Sequence, residues 1–231
     1  MSLRVLGVSG SPIENSNTDR AVKAILKASN LKSEFVKLSE IDVKPCDACK
    51  RCVGDNICKV DDDFPPLAEK IRKAEALVIG AYSPYSQIDA YTKAFLERLW
   101  SMRHVNNINE GKLVVTVVTG VVPAPTTRVR KVMLKLLKRT IKKHLPLYQI
   151  SRAIAREMRM ENMNVIGNIT IRGNLPCLTC GEGSTCKMSG IPSAFGKSVK
   201  ASKNLCVQVE DQPEVWKEVI RLGNLLHDFL H

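Results

Sequence analysis

Five apolar runs of strand length, each followed by a stretch patterned for a helix or by a loop, constrain this chain more than any other feature. They are 3–9 (LRVLGVS), 32–38, 76–81 (ALVIGA), 112–119 (KLVVTVVT) and 163–172. The first, third and fourth lack strict alternation of apolar and polar residues, as strands buried on both faces do. Between and after the runs, apolar residues recur at helical spacing. Ala21, Val22, Ile25 and Leu26 follow a possible cap at Asn17-Thr18-Asp19, and shorter helices are expected over 64–74 and 90–102. A last helix starts near Pro213, with Val215, Trp216, Val219, Ile220, Leu222, Leu226, Phe229 and Leu230 on its buried stripe. Strands alternating with helices imply a parallel sheet, because parallel neighbours need long crossovers and those crossovers cover both faces. The expectation is an α/β, doubly wound, five-stranded parallel sheet of order 2-1-3-4-5. With 231 residues and 44% hydrophobic composition, one elaborated domain over 1–231 is favoured over two.

Three segments exceed that minimum: a cysteine loop at 44–60, a basic helical insertion at 124–160 and a Gly- and Cys-rich excursion at 173–210. The net charge is +12, and 124–160 alone contributes eleven Lys/Arg against the single acid Glu157. There Val129, Val132, Met133, Leu136, Leu137 and Ile141 form a helical stripe among the cations, and Pro146 is expected to split two helices. The segment reads as a solvated crossover face or as a docking face for acidic redox partners. Nucleic acid is disfavoured, since no aromatic residue interleaves the charges of 128–143. No stretch is long and apolar enough to span a bilayer and no signal-peptide pattern is present, which points to the cytoplasm.

In open α/β sheets ligands bind beyond the carboxyl ends of the strands where strand order reverses, here between the first and third. Residues 9–18 (SGSPIENSNT) leave the first strand there, with Ser9, Ser11, Pro12, Ser16, Asn17 and Thr18 leading into a helix N-terminus. Hydroxyls and free N–H groups at such a point suit a phosphate dianion, although a plain polar turn with an N-cap would look similar. The loop lacks both the dinucleotide pattern G-x-G-x-x-G and a Walker lysine. Residues 83–98 (SPYSQIDAYTKAFLER) leave the third run and Thr119-Gly120 end the fourth, so three loops should converge where a flat ring could lie.

Seven of the eight cysteines fall in two tight groups. Cys46-x2-Cys49-x2-Cys52-x5-Cys58 approaches the compact run of bacterial ferredoxins and favours a [4Fe–4S] cluster, with zinc as the rival occupant. Lys44, Lys50, Arg51 and Lys59 would offset thiolate charge. Cys177-x2-Cys180-x5-Cys186 with the distant Cys206 is less readable: a second cluster, a zinc site or unligated cysteines all fit. The second and fifth strands would be opposite edges of the sheet, roughly 19 Å apart, so the two groups should not share one metal within a chain. The four histidines show no ligand-pair spacing, and no residue stands out as an acid–base catalyst.

The SGSP…SNT loop, the SPY…KAFLER segment and the cysteine run between them together resemble the iron–sulfur flavoproteins, within the NADPH-dependent FMN reductase and flavodoxin-like group. The resemblance covers roughly residues 3–120. It implies a flavodoxin-like fold and FMN, with phosphate on the 9–18 loop and the ring held by Ser83, Pro84, Tyr85, Ser86, Thr119 and Gly120. Further implied are an acidic low-potential donor such as ferredoxin, a homo-oligomer, and electron transfer between cluster and flavin. Two rival readings are an NAD(P)H-dependent flavin or quinone reductase with a structural metal, and a zinc-stapled basic binding module.

Overall fold

The apolar runs pair side by side, as the alternation requires. In the computed structural model, which describes residues 3–121 and 146–231, the strands are β1 (Val5–Ser9), β2 (Ser33–Lys37), β3 (Ala76–Ser83), β4 (Leu113–Gly120) and β5 (Asn164–Arg172). The helices are α1 (Asn17–Ser29), α2 (Phe64–Lys73), α3 (Ala90–Leu99), α4 (Pro146–Met160), the short α5 (Ile191–Phe195) and α6 (Pro213–Leu230). The sheet order is β2-β1-β3-β4-β5 and every pairing is parallel. This is the flavodoxin-like arrangement expected from the sequence.

Position in the sheet explains the strand patterns. The interior strand β1 is buried throughout, whereas the edge strand β5 alternates, with Ile169 and Ile171 inward and Asn168, Thr170 and Arg172 outward. One face of the sheet is covered by α1 and α6, through Val22, Ile25, Leu222 and Leu226 against Val78 and Val117. The other is covered by α2, α3 and α4, through Ile71, Phe95, Leu99 and Ile154 against Leu6, Ile79 and Val118. α1 lies unusually close to the sheet. A Cβ on Gly7 or on Gly80 would come within 2.7 Å of the Val22 side chain, so two neighbouring strands keep glycine under the same helix. That contact fixes the N-terminus of α1 beside the carboxyl ends of β1 and β3.

Three expectations shift locally. The helix cap is Ser16 rather than Asn17: its side chain accepts from the Asp19 N–H, and the Asp19 carboxylate accepts from the Ser16 N–H in a reciprocal capping box. The helix expected over 90–102 ends at Leu99 and continues as one 3-10 turn to Met102. Pro146 does begin a helix, α4, but the apolar stripe expected from Val129 to Ile141 lies outside the described residues.

Candidate functional site

A cavity of about 290 Å³ opens at the carboxyl edge of the sheet, where β1, β3 and β4 end. Ser11, Ser16, Asn17 and Thr18 from the first loop line it, together with Tyr82 and the Thr119-Gly120 turn. Its remaining wall comes from the Cys-rich excursion, through Gly173, Asn174, Leu175, Pro176, Thr179 and Cys206. The volume is at the small end of the range for cofactor sites, so part of any bound ring would rest at the mouth.

Not all of the expected phosphate residues present their side chains here. Ser9 is fully buried and its hydroxyl donates to Asp19 Oδ1 at 2.6 Å; the other oxygen of Asp19 receives Lys37 Nζ at 2.5 Å. Ser9 therefore anchors the loop from beneath. Asn17 is also committed: its Nδ2 donates to the Val207 carbonyl at 2.9 Å and its Oδ1 accepts from the Val209 N–H at 3.1 Å, tying α1 to the excursion. Pro12 is exposed and does not border the cavity. What faces the space is Ser11, Ser16, Thr18 and the positive end of α1. Thr119 adds a specific hint of a ligand, because its hydroxyl is buried in the cavity wall without a partner.

The 83–86 segment stands apart from the cavity wall. Tyr85 is fully exposed, and Tyr85 and Ser86 both adopt left-handed φ values of 48° and 59°. Consecutive left-handed residues other than glycine cost about 1–3 kcal/mol each and persist only where the surroundings impose them. Asp89 fixes the far end of this turn: it accepts from the Tyr82 N–H at 2.8 Å, the Thr92 N–H at 2.7 Å and the Thr92 hydroxyl at 2.8 Å, pinning the loop to β3 and capping α3. Burial pushes the Asp89 carboxyl above its ordinary value despite these bonds.

The first cysteine group gathers on a second, smaller pocket. Cys46, Cys49, Cys52 and Cys58 all line it, with Glu97, Arg98 and Trp100 from the end of α3 behind them. Ala48 and Lys50, on either side of Cys49, have φ values of 55° and 60°, and Asn56 has 59°. Left-handed residues among right-handed ones turn successive backbone N–H groups inward, which is how many iron–sulfur and phosphate sites hold an anion. Cys52 is buried, and burial pushes its thiol up, so a thiolate there needs a positive centre against it.

Two contacts that the sequence does not announce hold this loop to the core. Arg98 is buried and pairs with Asp62 at 2.5 and 3.0 Å; its guanidinium also donates to the Lys44 carbonyl at 2.8 Å and lies 4.6 Å from the Phe64 ring centroid. Burial works to raise the Asp62 carboxyl, but the bonds from Arg98 and from the Phe64 and Lys44 N–H groups outweigh it and hold it below the ordinary range. Farther along, Asn56 donates to the Asn106 carbonyl at 2.7 Å and accepts from the His104 and Val105 N–H groups at 2.7 and 3.0 Å. The one available signal was a charged residue, Arg98, four places after Ala94 and next to Leu99, on a face of α3 where apolar neighbours are buried.

The second group is arranged differently. Cys180 and Cys186 are exposed, Cys177 and Cys206 are half-buried, and of the four only Cys206 borders the main cavity. Cys177 Sγ accepts from the Gly190 N–H at 3.4 Å. Among the described residues no three His, Cys, Asp or Glu side chains are drawn together as one metal ion would require. A tetrahedral zinc with bonds of about 2.3 Å pulls its thiolates close together, whereas a cubane spreads them over four irons.

The family model for NADPH-dependent FMN reductases matches residues 3–153, which contain the 9–18 loop, the first cysteine group and β1 to β4. The chain belongs to that family. The chain is 30% identical over 107 residues to an iron–sulfur flavoprotein of Methanosarcina thermophila, covering 45% of this chain and 56% of the relative. It is 27% identical over 104 residues to an iron–sulfur flavoprotein of Methanocaldococcus jannaschii, covering 44% and 54%. The chain thus matches over about half the length of these curated relatives. Solved structures reproduce the fold over nearly the whole chain. RosB, with a bound 8-demethyl-8-formylriboflavin-5'-phosphate intermediate, superposes with a TM-score of 0.61 at 14% identity, covering 99% of this chain and 80% of that one. A flavone reductase superposes with a TM-score of 0.54 at 12% identity, covering 98% and 62%. At those identities the family and these neighbours share architecture, and the site must be argued from its own residues.

Proposed function

We propose that the chain, acting as one domain, is an electron-transfer flavoprotein that binds FMN in the carboxyl-edge cavity and a [4Fe–4S] cluster on Cys46, Cys49, Cys52 and Cys58. The observation that carries this reading is the convergence of four thiols on one pocket backed by a buried cation. The names of the archaeal relatives and the description of the family support it. FMN exchanges one or two electrons and a cluster exchanges one, so the pair can convert between single-electron and two-electron partners.

The chain's own residues would bind and orient. Ser11, Ser16, Thr18 and the N-terminus of α1 suit the phosphate, and the Thr119 hydroxyl and the Gly120 backbone suit a polar edge of the ring. The 83–86 turn, which follows Tyr82 of the cavity lining and is stiffened by Asp89, would meet only the part of the ring that projects beyond the cavity. Arg152, Arg156 and Arg159 stand exposed along α4 and offer a cationic row to an acidic donor such as ferredoxin. A homo-oligomer and a cytoplasmic setting belong to the same proposal; no described helix is long and apolar enough to cross a membrane.

The family description itself favours one competing reading, a reductase in which NADPH reduces FMN directly and the metal is structural. Anaerobic spectra separate the two. The proposal expects a flavin spectrum over a broad iron–sulfur shoulder, both bleached by a low-potential one-electron donor and only slowly by NADPH. Rapid, complete bleaching by NADPH with no iron–sulfur signal would favour the reductase.

A further inference from the structure

The two cysteine groups share more than their residue type. Residues 49–59 read CKRCVGDNICK and residues 177–187 read CLTCGEGSTCK, so the pattern C-x2-C-x5-C-K occurs twice. In both, a backbone turn precedes the third cysteine: the Asn56 N–H donates to the Cys52 carbonyl at 2.9 Å, and the Cys186 N–H donates to the Glu182 carbonyl at 2.9 Å. Both also use left-handed backbone between their cysteines, at Lys50 and Asn56 in the first and at Gly181, with φ 88°, in the second.

The groups differ in where a fourth thiol comes from. Cys46 lies just ahead of the first triplet, whereas Cys206 lies far behind the second, and the structure brings it back. Asn174, just before Cys177, clamps Val207, just after Cys206, through both sides of its amide: Nδ2 donates to the Val207 carbonyl at 3.0 Å, and Oδ1 accepts from the Val207 N–H at 2.8 Å. Asn17 donates to the same carbonyl. The middle of the loop is folded inward as well. A Cβ on Gly183 would lie 1.8 Å from the Cys177 carbonyl oxygen and 2.9 Å from the Ala201 Cβ, and the Ala201 N–H donates to Ser184 Oγ at 2.8 Å.

We propose that Cys177, Cys180, Cys186 and Cys206 bind a second [4Fe–4S] cluster set against the wall of the flavin cavity, a proposal that rests on the cluster reading of the first group. The Gly190 N–H directed at Cys177 Sγ is the kind of hydrogen bond that supports a ligating thiolate. Lys187, Lys197, Lys200 and Lys203 against the single acid Glu182 supply the positive surroundings that thiolates need. Cys206 and Thr179 border the cavity, so this centre would adjoin the flavin from the side opposite the 83–86 turn's strand, beyond β4. The excursion is then a metal-folded wall of the cofactor site.

Iron, zinc and acid-labile sulfide are measured on full-length protein isolated without air, alongside Cys177→Ser/Cys180→Ser and Cys49→Ser/Cys52→Ser. The expected result is about eight irons per chain, as for two cubanes, with each double variant keeping about four. About four irons in the unaltered chain, lost from the first-group variant and unchanged in the second-group variant, would overturn the second cluster and leave the first reading standing. Zinc lost only with the second-group variant, or disulfides there in its place, would overturn it equally. Absence of iron throughout would remove both readings. Should a variant fail to fold, spin integration on the reduced unaltered protein decides: two reduced clusters per chain are expected, and a single one overturns the proposal.

Discussion

The two cysteine regions meet the same demand, holding several thiols in place, by different physical means. The first loop is braced by the body of the protein: the Arg98–Asp62 pair, with both side chains fully buried, and the Asn56 amide join it to α3 and to the chain that follows. The second is rooted mainly at its C-terminal end, where Val209 is buried and Arg20 pairs with Glu210; before that Leu178 and Ile191 are buried, and amides reach across the chain, Asn174 to Val207 and Asn17 to Val207 and Val209. Between those anchors its shape depends on hydrogen bonds at the cavity rim, so its order should be tied to whatever occupies the cavity and the thiols, while the first pocket should stay formed by its buried ion pair and amide bonds.

The strongest way to break this contrast is Arg98→Leu. It leaves Asp62 buried and unpaired, and loss of one partner of a buried ion pair costs about 3–5 kcal/mol. Denaturant unfolding should show that loss, and Arg98→Leu/Asp62→Leu should recover much of it. Gly183→Ala comes next. Its Cβ would collide with the Cys177 carbonyl, so overpacking of about 1–3 kcal/mol should fall on the excursion alone. Hydrogen exchange should rise in 174–207 and stay unchanged in 44–60.

Acid provides a third, graded probe. The folded Asp62 carboxyl is held below its unfolded value of about 3.9, so the stability it contributes is complete above that value and is lost as pH falls through the folded one. In acid the 44–60 loop should lose exchange protection before the sheet does. The smallest effect is expected from Thr119→Val, which removes a hydroxyl with no partner in the protein. Stability should hardly change, while flavin affinity should fall by up to about tenfold, measured by fluorescence titration.

Much of the fold was legible because it rests on local patterns. Apolar runs marked β1, β3 and β4, and the alternation with helices gave a parallel sheet whose observed order is the expected one. The first cysteine group was legible for the same reason, since four thiols within one short loop need no tertiary contact to be recognised. What stayed hidden lies in long-range pairing. Ser9 looked like a phosphate ligand until the fold put Asp19 under it, and Asn17 looked like a cap until the chain returned to meet it at Val207. The link between the excursion and the cavity is of that kind: no spacing in the sequence says that Cys206 and Thr179 border the same space as Ser11.

The relay itself is tested most directly by anaerobic stopped-flow reduction of the unaltered protein and of Cys52→Ser, both loaded with FMN, by a reduced low-potential one-electron carrier. If the thiolates of 46–58 hold the entry centre, the flavin band of the unaltered protein should bleach rapidly together with an iron–sulfur band. The variant should retain FMN and lose that fast phase. Equal flavin reduction rates in the two proteins would contradict the account.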